Sequence, residues 1–161
     1  MGSWHKPGRL NSAPRQNFNS DKLPENELKL LFLIPLVQVA WAHGAISPRE
    51  RQVIFAAARD EGIDEIDPLN DRLALMLVYQ PSRRFFDSCL QLINERLQTM
   101  TIKERERRKQ KILDYATRVA AAAGEKSLMD VSHNISFEER LALADIMAAM
   151  NKKSNQTRLN C

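Results

Sequence analysis

Two of the chain's three histidines stand among carboxylates beside glycines that end apolar runs. His43 and Glu50 flank Gly44 in VAWAHGAISPRER, Val39 to Arg51. Glu125, Asp130, His133 and Glu138 follow Gly124 in VAAAAGEKSLMDVSHNISFEER, Val119 to Arg140. Imidazole nitrogen with carboxylate oxygen is a donor set for a first-row transition metal. A hard cation such as Ca²⁺ wants six to eight oxygens, more than these residues supply. His43, Glu125, Asp130 and His133 are the metal-ligand candidates. Their spacing matches no HExxH or CxxC pattern. Glu50 and Glu139 have another duty, since each follows a serine by three residues, the spacing of a capping box. Capping accounts for both.

Other charged residues point to contact with a partner. Lys103 to Lys111, KERERRKQK, is the densest charge run, with Glu104 and Glu106 among its basic residues. Such a run can meet phosphates or acidic lipid. As a solvated helix face it would pair Glu104 with Arg108 at i,i+4, while Arg105 and Lys109 lay their stems on the core. Arg83 and Arg84 follow Ser82 at a helix start, against the preference of the helix dipole. Arg83, Arg84, Arg105 and Lys109 are therefore the partner-binding candidates. Trp41 beside His43 reads as a core residue that needs an acceptor for its N–H.

No catalytic constellation converges. The five glycines form no phosphate-binding loop. No Ser/His/Asp ordering has local support. Cys89 has Asp87 nearby, which would raise the thiol pKa rather than activate it. The expectation is a protein that is not an enzyme and carries no organic cofactor.

The elements that must position these groups are all helical. Gly44 suits a helix end, because it takes positive φ without a Cβ clash. Ser47 reads as an N-cap, Pro48 as the first helical residue and Glu50 as the closing member of a capping box. Ile46 is placed to pack back as a staple. Gly124, Ser136, Glu139 and Arg140 repeat the pattern, so two helical hairpins are predicted, the second with a longer corner at 125–134. A first helix from Pro24 or Glu25 to His43 should kink or break near Leu31 to Ile34, because Pro35 removes an N–H and clashes with the preceding turn. Further helices are predicted from Pro48 to Glu61 and from Pro68 to Tyr79, the latter capped by Asp67. Others start after Ser82, run from Thr101 to Gly124, and span Phe137 to about Asn151. No stretch alternates with period two. The fold class is all-α, one domain of six or seven helices.

Composition bounds the rest. A length of 161 residues suits one domain. Lys6, Arg9, Arg15 and Lys22 against Asp21 give residues 1–22 a charge of +3; Lys152, Lys153 and Arg158 add +3 at the other end. The total is +4, so the body between carries −2. Residues 1–22 and 153–161 read as disordered tails around a domain at 23–152. A nucleic-acid-binding domain usually shows a basic face of its own, so the nucleic-acid reading rests on the tails alone. Two cysteines make no disulfide framework, which with no visible signal peptide suggests a cytoplasmic monomer. The apolar run Leu28 to Ala42 is shorter than the ~20 residues a spanning helix needs.

With both corners located, the chain resembles the TerB-like family, the all-helical domain of tellurite-resistance proteins. The residues that carry the resemblance are Ala40, Ala42, Gly44, Ser47, Pro48, Glu50 and Arg51 in the first half. In the second half they are Ala121, Gly124, Glu125, Ser136, Glu139 and Arg140. The resemblance covers about Pro24 to Lys152. It implies a bacterial, non-enzymatic helical module, linked to stress or tellurite resistance, that binds a protein partner or the inner-membrane surface. The family's acidic corner is proposed to bind divalent metal. Here its Asp is replaced by His43 and Ala123, and its Glu by Ala45, surviving only as Glu125. Weak binding of Ca²⁺, Mg²⁺ and Zn²⁺ is therefore expected, and a divalent-metal-responsive sensor built on the two corners is the alternative reading.

Overall fold

The computed structural model describes residues 23–123 and 135–153. The basic tail at 1–22, the long corner with Glu125, Asp130 and His133, and residues 154–161 lie outside the described residues. Among the described residues there are seven α-helices and no strand. They are α1 (Glu25–Leu31), α2 (Ile34–Ala40), α3 (Pro48–Asp60), α4 (Pro68–Val78), α5 (Arg83–Gln98), α6 (Ile102–Ala123) and α7 (Phe137–Asn151).

Pro35 divides the first predicted helix where expected. α1 stops at Leu31, Phe32 and Leu33 form a turn, and Pro35 then sits in the first turn of α2. Proline costs least there, because the first-turn N–H groups have no partner within the helix. α2 is the centre of the molecule. Ile34, Leu36, Val37, Val39 and Ala40 are all fully buried. A helix apolar on most sides, with Gln38 its one polar residue, has to be enclosed, and α2 packs against α3, α5, α6 and α7. The two hairpins, α2–α3 and α6–α7, thus pack on each other, with α3 also against α6. α5 seals α7 through an apolar stripe that includes Phe86, Cys89, Leu90, Ile93 and Leu97.

Two glycines take the positive φ that a turn demands, Gly44 at 90° and Gly62 at 81°. Gly62 follows the end of α3. Its N–H donates to the Arg59 carbonyl at 2.9 Å and the Ile63 N–H to the Ala58 carbonyl at 2.9 Å, the paired bonds of a Schellman stop. Ile63 is then carried into the core, fully buried. Trp41 donates its indole N–H to the Met76 carbonyl at 2.9 Å, which fastens the α2–α3 corner to the end of α4.

Several sequence expectations about charge need correction. Arg105 does more than lay its stem on the core. Its guanidinium donates to the carbonyls of Leu97 at 2.9 Å, Met100 at 3.3 Å and Gln98 at 3.4 Å, satisfying the acceptors left at the end of α5. Lys109 donates to Glu106 at 3.3 Å and Asn151 at 3.0 Å. Both cations are thus engaged within the fold. Glu104 closes a capping box on Thr101 and does not pair with Arg108. Arg108 instead makes a two-pronged bond to Glu61, at 2.9 and 3.0 Å, and stacks over the Phe32 ring. Lys111 reaches the same carboxylate at 2.6 Å. Ile46 packs on the core, but Arg51, at the position facing a staple, offers no apolar partner.

Candidate metal centre

The two capping boxes are built alike. The Ser47 hydroxyl accepts the Glu50 N–H at 3.2 Å, and Glu50 Oε2 accepts the Ser47 N–H at 2.7 Å. The Ser136 hydroxyl accepts the Glu139 N–H at 3.2 Å, and Glu139 Oε2 accepts the Ser136 N–H at 2.7 Å. Each glutamate therefore has one oxygen fixed by its own helix start. Packing of the hairpins brings these helix starts together inside the protein. Glu50 is 0% exposed and Glu139 1%.

The second oxygen of each carboxylate is different. Glu50 Oε1 and Glu139 Oε1 are buried and accept no hydrogen bond from the described residues. Capping thus explains only half of each side chain. Buried polar atoms without a partner are rare, and a buried carboxylate costs several kcal/mol unless it is compensated. The positive ends of α3 and α7 offset part of that charge, each helix end being equivalent to roughly half an elementary charge. Two carboxylates against two such ends still leave about one negative charge to be met.

His43 stands at the opening of this pair. Its Nδ1 lies 3.5 Å from Glu139 Oε1, too long and poorly directed for a hydrogen bond, and its side chain is 35% exposed. One donor atom from each of His43, Glu50 and Glu139 can be chosen so that all three lie within 4.8 Å of one another. Zinc–ligand bonds of about 2.0–2.2 Å put tetrahedral ligands roughly 3.4 Å apart. His43 Nδ1 and Glu139 Oε1, 3.5 Å apart, already stand at about that spacing, and Glu50 is the ligand that would have to draw in. The N–H groups of Ser47 and Ser136 would hold the carboxylates in place, as outer hydrogen bonds do in metal sites. One nitrogen and two oxygens suit a first-row transition ion, and three donors fall short of what Ca²⁺ requires.

Of the four sequence candidates, His43 enters this cluster, while Glu125, Asp130 and His133 lie outside the described residues. Glu138, although next to Glu139, points away and is exposed. The residues the sequence reading discounted, Glu50 and Glu139, are the two buried members. The signal that could have found them is the repetition itself: two identical capping boxes on hairpins that pack together place two glutamates face to face.

The remaining candidates stand apart. Arg83 and Arg84 are exposed at the start of α5 and make no ion pair among the described residues. Burial pushes the Cys89 thiol up to about 12, so it is no nucleophile at neutral pH. The cause is desolvation rather than the neighbouring Asp87. No helix of the described residues is long and apolar enough to cross a membrane. No family model, curated protein or solved structure matches the chain.

Proposed function

We propose that this protein is a helical divalent-metal-binding module, of the TerB-like kind its two corners resemble, with His43, Glu50 and Glu139 as the ligands. The observation that carries this reading is the pair of buried carboxylate oxygens that accept no hydrogen bond from the described residues, on two glutamates clustered with an imidazole. A divalent ion fits the charge, since two carboxylates bring −2. Borderline ions such as Zn²⁺ fit the donors better than Ca²⁺ or Mg²⁺. Three protein ligands would leave a fourth position of a tetrahedral ion to water or a small ligand, and the role we propose is a response to metal. Isothermal titration of the full chain at pH 7 tests this. Zn²⁺ should bind with micromolar or tighter affinity, and Ca²⁺ at least tenfold more weakly. His43→Ala and Glu139→Gln should each abolish the tight Zn²⁺ site. Absence of binding, or binding untouched by both variants, would refute the reading.

A second reading, a module that docks an acidic surface, is favoured by a different observation. Val78 and Tyr79 at the end of α4 are 54% and 60% exposed, and the unpaired Arg83 and Arg84 follow within a few residues. Apolar and aromatic side chains beside free cations suit the interface of an anionic membrane. Co-sedimentation with phosphatidylserine vesicles decides it: retention that is lost in Arg83→Glu/Arg84→Glu supports docking, and no retention removes it.

A further inference from the structure

We infer that a metal ion at this site acts as a clamp on α7, so that the order of its first turns depends on metal. The inference rests on the metal-binding reading above. Its basis is the origin of the three ligands. His43 belongs to the α2–α3 corner, Glu50 to the first turn of α3 and Glu139 to the first turn of α7. α3 and α7 make no extensive contact with each other; α7 packs on α5, α2 and α6. An ion would therefore bridge two helix starts that lie close but make few direct contacts.

Among the described residues the start of α7 is held to the core by the partly buried Ile135, just before the Ser136 cap, and its first turn has no buried apolar side chain of its own. Ala142, Ile146 and Met150 carry its buried apolar stripe, all beyond the first turn. Phe137 is 68% exposed and Leu141 50%. The buried residue of the first turn is Glu139, a carboxylate whose Oε1 accepts no hydrogen bond from the described residues, where an apolar anchor would be cheaper. The same carboxylate closes the capping box, so its position also fixes the Ser136 N–H. Without an ion, two like-charged side chains face each other within 4.8 Å in a water-poor space, which favours their separation. With an ion bound, that repulsion becomes a shared attraction, and ligation and capping reinforce each other. The far half of α7, sealed by α5, should not respond.

Hydrogen exchange of the full chain, with and without saturating Zn²⁺, tests the clamp, alongside titration to establish binding. Exchange at the amides of Glu139, Arg140 and Leu141 should slow at least tenfold with Zn²⁺, while Ile146 changes little. In Glu50→Gln, which removes the ligand on α3 and leaves α7 intact, the slowing should disappear. Zn²⁺ binding with unchanged exchange in α7 would overturn the clamp and leave the metal site standing. Slowing that persists in Glu50→Gln would also overturn it, because the ion would not be bridging the two helices. Failure of Zn²⁺ to bind at all would remove the site and the clamp together.

Discussion

Glu50 and Glu139 show how much one atom can decide. Both are read correctly from sequence as the third residue of a helix, because Ser-x-x-Glu spacing fixes that role locally. What spacing cannot show is where the other carboxylate oxygen points, since that depends on how the second hairpin lies on the first. The consequence is measurable in stability. Glutamine also serves in a capping box, so Glu50→Gln keeps the Oε2 bond to Ser47 and removes one buried charge. In the presence of EDTA the variant should be more stable than the parent by roughly 1–3 kcal/mol, since a buried carboxylate without compensation costs about that much or more. Adding Zn²⁺ should reverse the order. Urea melts in both conditions check it, and a variant less stable in EDTA would mean that the protein alone already compensates the charge.

At the scale of elements, most of the architecture was legible because each helix announces its own start. Ser47, Asp67, Ser82 and Ser136 all accept a first-turn N–H, as the residue type and place of each just before a helical pattern predict. Pro35 marked the break between α1 and α2, and the chain's own chemistry enforces it. The helix ends were less clear: α2 finishes at Ala40, three residues before the predicted His43, with Trp41 to Gly44 forming the corner. That difference puts His43 on a turn, with its Nδ1 3.5 Å from Glu139 Oε1. Ser47→Ala and Ser136→Ala should each cost about 1 kcal/mol, the usual value of an N-cap. The double variant should lose more than either single one, but not simply the sum, because each serine holds a glutamate and the two carboxylates lie in one cluster. Denaturant melts of the single and double variants measure this, and a double variant no less stable than either single one would argue against two independent caps.

The whole molecule is held by pairings that no local pattern reveals. The central burial of α2 could be inferred from its apolar sequence, but the partner of Arg108 could not, because Glu61 is 47 residues away. The local rule pointed to Glu104, and the tertiary contact won, since Glu61 is largely buried and bonds Arg108 and Lys111 together. This cluster ties the end of α3 to α6 across the face opposite the first-turn caps. Burial pushes the Glu61 carboxyl upward, but hydrogen bonds from Lys111 and Arg108, with their positive charges, outweigh it, and the net shift is downward from 4.5. A carboxyl whose folded pKa lies below its unfolded value adds stability above the unfolded pKa. That contribution fades as pH falls through the folded pKa. Glu61→Gln should therefore cost roughly 1–3 kcal/mol at pH 7, between the worth of exposed and buried ion pairs. The gap should narrow steadily below about pH 4.5, because the parent then loses what the variant never had. Urea melts of both proteins from pH 7 to pH 3 follow the gap directly. Parallel stability curves across that range would show that Glu61 gains nothing from its cations, and would leave the joint between α3 and α6 to apolar packing alone.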